Sequence, residues 1–323
     1  MASLNQSLPA TARSVHSQAG DTVGAMTEWD GRGLPPAAQA RVDRASTDGV
    51  RSSLLSIRGQ AGVHSVGLDP VGEVMGCIVE QIGWTGWGGC GVYYGGGFGG
   101  LAMGGPTVTS GAGGYAGFAP YVDALYRGFD TAMYRMMLEA HALGADGVVG
   151  VKWSRERLLE MGGAQEFMVR GTAVRARSTA RPAHLFSTDL SGGDVAKLMH
   201  AGWAPTELVW GFSVAIRHDD YMTRMAAVPW STQNIEIPGY TELVSYARAD
   251  ARARFEERAA RLGSDAATIS EMSLHVREIE PGEGHRDHIA EAMVVGNSLV
   301  RFHKGSRAPT ESHVVLPLRR STL

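Results

Sequence analysis

Leu143-Gly144-Ala145-Asp146-Gly147-Val148-Val149-Gly150-Val151 closes one element and opens the next. Ahead of it, Tyr121, Leu125, Phe129, Ala132, Met136, Ala140 and Leu143 recur at steps of three and four. That spacing lays them on one face of a helix. Gly144 then supplies the left-handed C-cap conformation that a β-carbon disfavours. Behind it, residues 148–153 form a short apolar run with β-branched side chains, which reads as a buried strand. A second copy of the junction follows 119 residues later as Leu262-Gly263-Ser264-Asp265-Ala266-Ala267-Thr268-Ile269. Ahead of that copy, Tyr240, Val244, Arg248, Ala251, Phe255, Ala259 and Leu262 occupy the matching helical positions, and six of the seven suit burial.

The duplication extends upstream. Ser52, Leu55, Ser56, Gly67, Pro70, Val74, Gly76 and Val79 recur 135 residues on as Ser187, Leu190, Ser191, Gly202, Pro205, Val209, Gly211 and Val214. The offset then falls to 119, so the loop ahead of the second helix is 16 residues shorter than its counterpart. Residues 74–82 and 208–216 read as strands. Residues 194–200 read as a short helix with Ser191 as N-cap. Each half closes on a further strand, residues 167–175 and 292–300, placed in common register by a shared Met-Val-x-Gly. The expected fold is α+β: two tandem β-α-β-β units, each with one helix packed on a small antiparallel sheet. The expected boundaries are 51–178 and 184–303. Residues 1–50 read as a disordered or weakly helical tail, with a short helix from Pro35-Pro36, and 304–323 as a C-terminal tail.

Inside the first unit, residues 83–118 form a glycine-rich insertion carrying Trp84, Trp87, Tyr93, Tyr94 and Phe98. Glycine this dense is too costly to order as helix. Its aromatics can form a contact surface for a neighbouring copy or a protein partner, and they equally suit a mobile surface loop.

The junction Leu-Gly-Ala-Asp followed by Gly-Val-Val-Gly, together with Val169-Arg170-Gly171-Thr172-Ala173-Val174, resembles the YbjQ-like family, also called UPF0145 or a heavy-metal-binding domain. The second half resembles the same unit through Leu262-Gly263-Ser264-Asp265 and Gly296-Asn297-Ser298-Leu299. The resemblance implies a dodecin-subunit-like fold and a ring-shaped homo-oligomer, a pentamer for single-unit members. A unit of one helix on three strands leaves sheet edges open, and pairing them around a ring removes that liability.

Composition bounds the function. The net charge of −3 over 323 residues points to neither nucleic acid nor an anionic membrane as partner. No long apolar run reads as a membrane span, and the expected location is cytoplasmic. Glu283, His285, Asp287 and His288 gather within six residues and could hold a divalent heavy metal such as zinc, although the same residues suit a polar turn. Cys90 is the better thiol candidate, because Cys77 falls in an apolar strand. Met133, Met136 and Met137 read as core. Asp146 and Asp265, beside Gly144 and Gly263, read as structural turn residues that accept backbone amides. No nucleophile, acid and base converge, so no catalytic residue is assigned. The reading is a non-enzymatic, ring-forming homo-oligomer that serves assembly or binds a small ligand; the alternative is a heavy-metal sequestration or sensing protein.

Overall fold

A computed structural model describes residues 29–31, 33–47, 52–82, 108–109, 118–179, 181–219, 221–227, 234–282 and 285–302. The first half runs through α1 (Pro36–Thr47), α2 (Ile57–Ser65), β1 (Leu68–Glu80), β2 (Val108–Thr109), α3 (Ala119–Ala142), β3 (Gly147–Leu158) and β4 (Ala164–Ala176). The second runs through β5 (Phe186–Ser187), α4 (Gly192–His200), β6 (Trp203–His218), α5 (Tyr221–Ala226), α6 (Pro238–Arg261), β7 (Ala266–Gly282) and β8 (His285–Arg301). The architecture is α+β with antiparallel sheets, as expected. In each half the last strand is central: β1-β4-β3 in the first sheet and β6-β8-β7 in the second.

Local chemistry explains the element ends. Ser56 and Ser191 each accept a hydrogen bond from the amide three residues on, capping α2 and α4. Gly144 and Gly263 end α3 and α6 at φ 66° and 69°, in the left-handed region where glycine carries no β-carbon penalty. α1 begins at Pro36, as its proline pair suggests.

Two short strands cross between the halves. β5 joins β3 in parallel, and β2 from the long insertion joins β6. Both are too short to carry a periodic signal in sequence. Most of the insertion, residues 83–107 and 110–117, lies outside the described residues.

The two helices differ in a way their repeat relationship does not convey. α6 packs one face on the second sheet, burying Gly239, Leu243, Ala247, Ala251, Phe255 and Ala259. The expected face is corrected in part: Leu262 is exposed, and Leu243 and Ala247 take the buried row ahead of Val244, while Arg248 is exposed as its charge suggests. α3 buries two faces. Its core joins Val74, Phe167 and Val169 of the first sheet to Trp210, Phe212 and Val214 of the second. Phe129 lies edge-on to Phe167 at 5.1 Å and stacks on Phe212 at 5.5 Å. The layers therefore run sheet, α3, sheet, α6. Met136 is fully buried in this core, with Met133 9% exposed and Met137 partly buried beside them.

Each helix crosses its sheet at a glycine. A β-carbon at Gly76 would lie 1.9 Å from the Ala132 carbonyl oxygen, and one at Gly211 would lie 2.2 Å from that of Ala251. Backbone meets backbone there, so no rotamer change relieves the clash. Gly76→Ala is expected to lower stability by about 2 kcal/mol or more, the scale of overpacking a closed core. Urea unfolding would measure it, and a loss under about 0.5 kcal/mol would contradict this packing.

Candidate functional site

A sheet edge carries unpaired amides and carbonyls that invite another strand. Among the described residues, three of the four long edge strands are closed at least in part by other parts of the chain. At β1, the Met75 amide donates to Glu139 Oε2 at 2.9 Å, and Arg135 donates to the Cys77 carbonyl at 2.6 Å. Glu139 is buried and also paired with Arg41 of α1. Burial pushes its carboxyl above the usual range, against the opposing pull of the Met75 amide and Arg41. At β6, the Leu208 amide donates to Ser187 Oγ, the Phe212 amide to the Tyr126 hydroxyl, and β2 pairs with Ala215 and Ile216.

The β3 edge is closed by the segment that opens the second half. The Thr188 amide donates to the Val148 carbonyl at 3.0 Å. The Val151 amide donates to the Thr188 carbonyl at 2.9 Å, and the Gly150 amide to that of Leu190 at 3.1 Å. A bulge between Val149 and Lys152 turns these amides outward from the β4 ladder. Thr188 is held in turn by Asn297 of β8, at 2.7 Å. Thr172, the Asn297 counterpart in β4, holds the Leu54 amide at 2.9 Å.

The fourth edge belongs to β7. It is the outermost strand of its sheet and 17 residues long. Its own bulge falls between Ile269 and Glu271, the counterpart of the one in β3. Ile269, Met272 and Val276 are 40%, 41% and 46% exposed, a high value for apolar side chains on an edge. A groove of about 430 Å³ runs between this edge and α4, lined by Leu198, Ile269 and Leu299 among others.

The junction aspartates sit in matching bonds. Asp146 accepts from the Ala176 amide at 2.7 Å, and Asp265 from the Arg301 amide at 2.8 Å. Arg181 also pairs with Asp146 at 2.7 Å.

The described metal candidates turn to other partners. Of the acidic-histidine cluster, Asp287 and His288 meet partners across the strand pair: His218 Nδ1 lies 2.5 Å from Asp287, and His288 Nδ1 lies 3.0 Å from Asp219. Tyr240 donates to the second oxygen of Asp219, and burial with that bond pushes its phenol well above the ordinary value. Sequence reading missed His218 and Asp219. The signal was present as an inverted pair, His-Asp at 218–219 against Asp-His at 287–288, which antiparallel register brings face to face. His285 starts β8, but its side chain lies outside the described residues, as do Cys90, Trp84, Trp87, Tyr93, Tyr94 and Phe98. Among the described residues, no three His, Cys, Asp or Glu side chains gather to hold a metal ion. Cys77 is half-buried, and burial pushes its thiol up, away from the thiolate that metals bind. Among the described residues, no helix is long and apolar enough to cross a membrane.

The two His–Asp pairs tie the end of β6 to the start of β8. Asp287→Ala removes this carboxylate from the His218 ring in a largely buried site and is expected to cost about 2 kcal/mol. Asp287→Asn, which keeps an acceptor, should cost less. Chemical denaturation of both variants would check this, and equal losses would rule out the pairing as the cause.

Comparison with known proteins places these features. Residues 106–177 match a family described as "Putative heavy-metal-binding", YbjQ_1, a span that covers α3, β3 and β4. Among curated relatives, the encapsulin nanocompartment protein Rv1762c of Mycobacterium tuberculosis is 32% identical over 241 residues, covering 72% of this chain and 80% of that protein. That alignment is longer than either half. UPF0145 proteins of Psychrobacter arcticus and Thermotoga maritima are 43% and 42% identical over 56 and 55 residues, each 17% of this chain and 34% and 50% of those proteins.

Proposed function

The chain belongs to the family of the Mycobacterium tuberculosis encapsulin nanocompartment protein and carries a YbjQ-like, UPF0145 domain; from that premise we propose that it is a non-enzymatic, self-assembling component of a nanocompartment system. The reading places it in the cytoplasm. Its copies join head to tail and close into a ring.

One observation carries the assembly. Within the chain, Ser187, Thr188 and Leu190 of the second half add to the β3 edge of the first. Their repeat counterparts are Ser52, Ser53 and Leu55. The counterparts of the β3 amides and carbonyl that receive them are Ile269, Ser270 and Ala267, on the β7 edge, which no strand pairs with among the described residues. A segment and an edge that match inside the chain are thus offered again, one at each end. Joining residues 52–55 of one copy to β7 of the next repeats the internal contact, and a heterologous contact of this kind closes into a ring when its rotation permits.

The same step lays the outer face of that next copy's α6 on the outer face of the first copy's first sheet, as α3 lies on the second sheet here. That sheet face carries Met75, Cys77 and Val79 with Glu73 and Glu166, and α6 brings Arg248 and Arg252. Trp84, Trp87, Tyr93, Tyr94 and Phe98 of the insertion supply further contact to a copy or a protein partner.

Native mass spectrometry of the full chain tests the reading. A discrete multiple of 34.3 kDa is expected. Ile269→Lys with Met272→Lys, both at exposed positions, should reduce that mass to the single chain while leaving the circular dichroism spectrum unchanged. A wild-type mass of one chain, or an oligomer indifferent to both lysines, overturns it. A stoichiometric metal adduct in the same spectrum would instead favour heavy-metal sequestration, the function the family's description suggests.

A further inference from the structure

Between the two halves lies a cavity of about 580 Å³, within the range of small-molecule sites. Its wall is mostly apolar. Leu68 comes from the first sheet, Phe186 from the connecting strand, Val195 and Met199 from α4, and Leu262 from the end of α6. Four polar residues line it: Asp146, His184, Thr206 and Glu207. Two of these are already engaged. Asp146 accepts from the Ala176 amide and pairs with Arg181, and Thr206 bonds to Ser298 at 2.7 Å. His184 is exposed.

Glu207 differs. It is half-buried, and its carboxylate has no hydrogen-bond partner among the described residues. Burial pushes its carboxyl above the usual range, Arg258 acts against that, and Asp130 adds to it. A β-bulge between Pro205 and Glu207 re-aims the chain at this point. The first half has the same bulge, between Pro70 and Gly72, with glycine in the matching place. There, a β-carbon would sit 3.0 Å from Leu143. In the second half the matching leucine, Leu262, lines the cavity, so a glycine and a closed contact have become a carboxylate facing an apolar space. A half-buried carboxylate without a donor gains when a cationic partner arrives to pair with it.

We propose that this cavity binds a hydrophobic amine, with the apolar body against Phe186, Val195 and Met199 and the nitrogen on Glu207. Two carboxylates in the wall, Glu207 and Asp146, disfavour an anionic ligand. The cavity is formed within one chain, so binding there is independent of the assembly step.

The full-length chain can be tested with N-phenyl-1-naphthylamine, an uncharged fluorophore that brightens in apolar surroundings. Three competitors share one ring system: 1-naphthylmethylamine, 1-naphthalenemethanol and 1-naphthoic acid. The amine should displace the fluorophore at roughly tenfold lower concentration than the alcohol, the scale of one charge-assisted hydrogen bond, and the acid should be weakest. Glu207→Gln, nearly the same size, should bring amine and alcohol within about twofold of each other. Ala204→Trp should fill the space and abolish fluorophore binding. Absence of fluorophore binding to the wild type, an acid that competes as well as the amine, or an amine preference that survives Glu207→Gln each overturns the proposal. Native mass recorded on the same variants should not change, which separates failure here from failure of assembly.

Discussion

Where α3 crosses β1 and α6 crosses β6, helix backbone lies directly on strand backbone, with glycine on the strand side. That contact fixes the height of each helix above its sheet. For α3 the height matters twice, because the helix also carries the second sheet. Phe129 must reach Phe167 below and Phe212 above at once, so a rise of the helix on one side opens a gap on the other. Close-packed interiors leave little slack for this. The connections across the halves follow from that placement. Trp210 donates its indole N–H to Asp130 at 3.0 Å, and Arg258 of α6 reaches the same oxygen at 2.6 Å. Tyr121 and Arg155 meet Glu291 at the other end of the helix.

The treatment of strand edges follows one economy. α3 closes part of β1 with Glu139 and part of β6 with Tyr126, so one helix serves two sheets. The connecting segment closes the start of β3 and, through Ser187, the Leu208 amide of β6. Segment and helix thus act as shared parts between successive units. Only elements that lie between two units can be shared in this way, and β7 has no successor within the chain.

Much of the architecture was legible because it rests on local rules. Gly144 and Gly263 mark helix ends, Ser191 marks a start, and period-3.6 and apolar runs separate helix from strand. The repeat offsets carried the pairing of elements. What escaped depends on contacts between the halves. β2 and β5 are two residues each, and their pairing is decided by a partner far away in sequence. The buried row of α6 shifted to Leu243 and Ala247 because alignment to α3 transferred a face that belongs to a helix buried on two sides. For candidate sites the same limit applied. His285, Asp287 and His288 looked like a local cluster, yet Asp287 and His288 turn to His218 and Asp219 across the ladder. Glu207 carried no motif at all. Its character comes from a bulge and from the leucine opposite, neither of which composition reports.

The double burial of α3 also has a temporal side. The helix is complete at Ala142, but the strand that covers its second face ends at His218. At ordinary rates of synthesis, that interval lasts on the order of ten seconds. During it, Tyr126, Phe129 and Met133 have at most the first sheet, itself complete only at Ala176, to lie against, and the aromatic stripe that later joins the halves faces water or the ribosome's surroundings. α6 passes through no such window, since its outer face is charged and its sheet partner β6 precedes it. The two long helices therefore emerge with unequal needs, and the first half is the part that depends on protection until the second arrives.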